Sequence, residues 1–144
     1  MKLFLPLLLS LTASAAVAQS DAPSFQDRVF ETAATTGEAR IPVLCGGLYQ
    51  SFTRVFADDA QSVEAFQART EVARNIGLAV HLMDGPDPEA EAFIDTGMVA
   101  VAAVFDAWLA DNLSREGEQI NDGIRQNYHF CDGYHADWTG TPSN

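Results

Sequence analysis

Five side chains able to bind a metal, His129, Cys131, Asp132, His135 and Asp137, fall close together near the C-terminus. On a helix they do not converge. At 100° per residue, His135 lies about 40° from Cys131 and His129 about 160° from it. The two histidines are themselves about 120° apart, so a site using both would need the helix to break, with Gly133 the place for it. No metal and no other cofactor is therefore expected. The plainer reading is a buried His135 with one hydrogen-bond partner and a solvated His129.

Cys45 and Cys131 are the only cysteines. They are far from the C-x-x-C spacing of a redox dithiol. In an oxidising compartment two such residues are expected to pair as a structural disulfide.

Arg69 is the other residue of note. It falls within its helix's apolar stripe, and an arginine facing a core needs a carboxylate, a carbonyl array or solvent through a cleft. Asn127, Tyr128 and His135 share the inner face of the last helix, and Tyr49 borders the stripe of an earlier one. These groups are expected to form an internal polar network with Arg69. The alternative is a small-ligand pocket built from Arg69, His135 and Tyr49. His81 sits in the last turn of a helix, where capping or packing is the expected role. Asp95 and Asp106 lie on one helix face about 16 Å apart, too far for paired-carboxylate catalysis. There is no G-x-S-x-G, H-E-x-x-H, phosphate-binding glycine loop or C-x-x-C-H in the chain. The sequence therefore assigns no catalytic residue.

The elements that would position these groups read as helices throughout. A short one is expected over Ser24–Thr35, then a loop over Thr36–Ile41. Pro42 suits a first helical turn. Leu44, Cys45, Leu48, Tyr49, Phe52, Val55 and Phe56 follow at helical spacing. Gly46-Gly47 in that helix suggests a close helix crossing. Asp58-Asp59 offers caps for a helix over Ala60–Met83, whose last two turns are apolar nearly all round and should be enclosed. Asp84-Gly85-Pro86 stops it, and Asp87 with Pro88 should start the next. That helix carries Phe93, Val101, Phe105, Trp108 and Leu109, and a second face of Ala100, Ala103, Ala107 and Ala110. Two such faces predict a central helix packed on both sides. A turn over Ser114–Glu118 leads to a final helix over Glu118–Trp138, with Trp138 on its inner face. The fold expected is all-α: an up-down bundle of four long helices plus a short N-terminal helix, stapled by one disulfide.

Residues 1–18 read as a signal peptide: Lys2, an apolar run from Leu3 to Leu11, and Ala16-Val17-Ala18 as a cleavage site. The run is too short to span a bilayer, and no stable membrane anchor is expected. The bundle domain would then occupy residues 19–138 and a flexible tail 139–144. A periplasmic location is expected, with secretion the alternative. Twenty Asp and Glu against eight Lys and Arg give the 144-residue chain a charge of −12. Lys2 is the only lysine, so its removal leaves seven arginines and a charge of −13. Such acidity excludes nucleic acid as a partner. It would attract a cationic protein.

A leader, an all-helical domain and cysteines early and late in the chain, here Cys45 and Cys131, make the outline similar to two groups of small periplasmic proteins. One is the immunity proteins that block cell-wall amidases delivered by rival bacteria. The other is the acid-stress chaperones, from whose lysine-rich sequences this chain departs. The likeness is one of architecture and carries over no functional residue. The expected function is a non-enzymatic protein-binding, inhibitor or immunity-type module. A small-ligand or metal-binding protein with a pocket near Arg69 and His135 is the alternative.

Overall fold

The computed structural model describes residues 22–141. Residues 1–18, expected to be a signal peptide, lie outside them, as do the last three residues of the expected tail. The described residues form an all-helical domain of five α-helices: α1 Phe25–Ala34, α2 Arg40–Val55, α3 Ala60–His81, α4 Ala90–Glu116 and α5 Asp122–Thr139.

Helix ends follow from local hydrogen bonding. Ser24 caps α1, its hydroxyl accepting the Asp27 N–H while the Asp27 carboxylate accepts the Ser24 N–H. Residues Gly37–Ala39 form a single 3-10 turn where a loop was expected, and α2 begins directly after it at Arg40. Asp59 caps α3 by accepting the Gln61 N–H at 3.1 Å. The end of α3 corrects the sequence reading. The helix stops at His81, and Leu82 and Met83 are 42% and 83% exposed rather than enclosed.

Asp87 does not start α4. One of its oxygens takes the Glu89 N–H at 2.9 Å and the other reaches back to His81 Nε2 at 2.7 Å. The carboxylate ties the connection to the end of α3, and α4 begins only at Ala90. The start of α5 is delayed in a similar way. Buried Asn112 donates to the Gln119 carbonyl and accepts from Asn121, holding the connection in place. Asn121 in turn caps α5 through the Ile124 N–H. Gly117 ends α4 at φ +77, the left-handed conformation glycine adopts without strain.

The central element is α2. Ten of its sixteen residues are buried, and it packs against each of the other four helices. A Cβ on Gly47 would stand 2.6 Å from Val101 Cγ1 and 3.0 Å from the Ala102 backbone nitrogen, and one on Gly46 would collide with the Met98 side chain. The glycine pair thus lets α2 touch the α4 backbone, and Ser51 Oγ adds a 3.1 Å bond to the Ala102 carbonyl. Of the bulky face expected on α4, Val101, Phe105, Trp108 and Leu109 are buried along with Ile94 and Met98, but Phe93 is 39% exposed. Its alanine face is not packed: Ala100, Ala103, Ala107 and Ala110 are exposed. Among the described residues this helix alone is long and apolar enough to cross a membrane, and just under half of its apolar stretch is buried against the rest of the domain. On α5, Trp138 is half exposed rather than inward.

Candidate functional site

Cys45 on α2 and Cys131 on α5 form a disulfide, with Cα atoms 5.3 Å apart. Both residues are buried. The bond suits an oxidising, extracytoplasmic environment. It also sets the register of the polar residues beside it. Tyr49 stands one helical turn after Cys45; Asp132 follows Cys131, with Tyr128 and His135 one turn to either side.

Arg69 reaches this point from α3. Its Nη1 donates to Asp132 Oδ1 at 2.5 Å. The Asp132 side chain is 5% exposed and that of Arg69 19%. The guanidinium carbon lies 5.7 Å from the Tyr49 ring centroid and 5.8 Å from that of Tyr128, so two π-faces flank the cation. Burial works against the Arg69 charge, but the Asp132 hydrogen bond and the neighbouring Tyr128 and Tyr49 outweigh it and raise its pKa. Arg69 is a permanent cation held by a buried anion.

The same surroundings keep the neighbours neutral. Burial pushes the Tyr49 phenol up to about 12, against the Arg69 guanidinium, which favours the phenolate. The Tyr49 hydroxyl is buried and meets no hydrogen-bond partner in proper geometry. His135, expected to be buried, is only partly so. Burial first, then the Arg69 charge, lowers its pKa, with Asp132 partly opposing. The cluster therefore holds a neutralised ion pair, a neutral phenol and an imidazole that resists protonation.

Tyr49, Arg69 and His135 are thus brought together, and the partner that completes them is Asp132. In the sequence Asp132 stands out only as a member of the metal-binding group. The signal that could have singled it out is its place directly after Cys131, which the disulfide draws into the core. The other members of that group do not join it. His129 and Asp137 are exposed, and Cys131 is consumed by the disulfide. Among the described residues no three His, Cys, Asp or Glu side chains are placed to hold a metal. Asn127 also leaves the expected network: its amide donates to Gln26 Oε1 and to the Gly123 carbonyl, both at 2.8 Å, tying α5 to α1. His81 pairs with Asp87 and packs at a tilt against Phe93, ring centroids 4.8 Å apart.

Most of the remaining arginines also have partners within the chain. Arg74 joins α3 to Asp95 and Glu91 of α4, and Arg54 joins α2 to Asp106 of α4. Arg115 pairs with Asp111, and Arg125 with Asp122 and Glu118. Arg28 lies 4.0 Å over the Phe25 ring. No family model, no curated protein and no solved structure matches this chain, so its function is read from the geometry above.

Proposed function

We propose that this chain is an exported, non-enzymatic module that binds a cationic protein, in the manner of an inhibitor or immunity protein. In this reading residues 1–18 are cleaved, and the domain works in the periplasm. The four longer helices, α2 to α5, form the up-down bundle, with α1 laid across it. One observation carries the proposal. Twenty acids face only seven arginines, and five of those arginines already pair with carboxylates of the same chain, so the surface carries a large excess of negative charge. An anionic surface on a disulfide-stapled scaffold favours fast, steered association with a basic partner. The Arg69 cluster supports the same reading, because its cation is already paired and its phenol is sealed. It is less suited to a small anion, the alternative reading.

The test is affinity capture from periplasmic extract with the immobilised mature domain, followed by association kinetics with the captured protein. The expected partner is basic, with an association rate that falls steeply between about 50 and 200 mM salt. Repeated captures that return nothing, or a partner whose association ignores salt, would refute the proposal.

A further inference from the structure

A second feature lies at the junction of α1, α2 and α5. There Phe30, Ala33, Arg40, Ile41, Leu44 and Phe130 line a cleft of about 170 Å³. Ala33 and Leu44 are buried, while Phe30 and Phe130 stand 49% and 48% exposed at its edges. Two phenyl rings from different helices are left half in water around an apolar recess. A cavity of about 150 Å³ holds a benzene ring, so the recess is sized for one aromatic or branched side chain.

The charge beside it is the informative part. Arg40 is exposed and is the one arginine among the described residues with neither a carboxylate nor a ring partner. In a chain carrying 20 acids, that is a conspicuous vacancy. Arg40 is also the first residue of α2. A cation there opposes the helix dipole, and an anion beside it is favoured. A guanidinium in this setting matches a carboxylate, which it can bind through two parallel hydrogen bonds.

The occupant must therefore join one apolar side chain to one carboxylate a few ångströms away. A free small acid is a poor candidate. A single ring and a single ion pair barely offset the entropy of association, and the molecule's net charge repels free anions. We propose that the cleft binds the C-terminal residue of a polypeptide, its aromatic or branched side chain between Phe30 and Phe130 and its α-carboxylate on Arg40. This rests on the reading of a cationic protein partner, whose preceding basic residues would lie on the acidic surface.

The experiment uses the oxidised mature domain at low ionic strength and follows amide shifts on titration with synthetic peptides. Acetyl-Lys-Lys-Gly-Phe with a free C-terminus should shift Ala33, Ile41 and Leu44. Its C-terminal amide should bind about tenfold more weakly. Arg40→Gln should erase that difference, and Phe130→Ser should weaken both forms. Both positions are exposed, and an unchanged urea midpoint confirms that each variant folds. Equal binding of acid and amide to the unmodified domain overturns the proposal. So does N-acetylphenylalanine binding as tightly as the peptide, because the occupant is then a free acid. If acetyl-Gly-Gly-Gly-Phe binds as well as the lysine peptide, the cleft stands and the cationic-partner reading falls instead.

Discussion

Removing the Arg69 side-chain charge should expose how the core is balanced. Arg69→Met keeps much of the aliphatic packing but removes the cation that pairs with the Asp132 carboxylate, whose side chain is 5% exposed. Breaking a buried pair by deleting one partner costs about 3–5 kcal/mol. Because Arg69 retains 19% exposure and water can follow it inward, the lower end of the range applies, about 3 kcal/mol. Asp132→Asn should cost less, about 2 kcal/mol, since the stranded cation reaches solvent. The double change Arg69→Met with Asp132→Leu should recover most of the loss, because a packed apolar pair replaces an ion pair at little net cost. Urea unfolding of the oxidised protein reads all three. With a slope of about 1.5 kcal/mol per molar, Arg69→Met moves the midpoint down by about 2 M. A midpoint for Arg69→Met equivalent to within about 0.5 kcal/mol of the parent would refute the structural role. Loss of an anionic ligand without loss of stability would transfer the residue to a binding pocket.

Three further outcomes follow from the packing and the titrating groups. Thiol titration of the denatured, unreduced mature protein should find no free thiol, and Cys45→Ser with Cys131→Ser should remain helical by circular dichroism yet lose about 4–5 kcal/mol in urea if loop entropy governs. Two titratable thiols in protein taken from its native compartment would reject the pairing. Gly47→Ala should destabilise by about 2–3 kcal/mol, since the added methyl meets backbone, and Gly46→Ala by about 1 kcal/mol, since Met98 can swing aside; the reverse order in thermal melts would contradict the close crossing. His135 has a lowered folded pKa, so the unfolded chain binds the proton more readily. Its stability contribution is present above pH of about 6.5 and is lost as pH falls through the folded value. His135→Asn should flatten that part of the stability profile, and parallel profiles would exclude the linkage.

Helix signals in this chain were readable where one side chain had one use. Asp59 caps the helix its position suggests, and Gly46-Gly47 marks the crossing with α4. Where a side chain had competing uses, the pattern misled. Asp87 is a good cap in isolation, but its pairing with His81 draws it back to α3. The alanines of α4 read equally well as a packing face or a solvent face, because alanine loses little in either place. The Arg69 site was half legible. An arginine on a core face announces that it needs a carboxylate, yet twenty acids were available to supply one. Only the three-dimensional closure of α2 on α5 selects Asp132. The Arg40 cleft was invisible because its three walls come from three helices, and neither Phe30 nor Phe130 differs in sequence context from an ordinary core residue.

The disulfide also divides the molecule mechanically. Pulled by its two ends, the oxidised domain transmits load from α1 and the first residues of α2 straight through the sulfur bridge to the last two turns of α5. All of α3 and α4 sits inside the closed loop between Cys45 and Cys131 and carries none of that tension. An extended residue spans at most about 3.3–3.6 Å, so severing the bridge releases roughly 300 Å of hidden chain length. A partner or enclosing matrix that tugs on the termini can therefore peel away α1 and the end of α5 while the α3–α4 half of the domain keeps its shape.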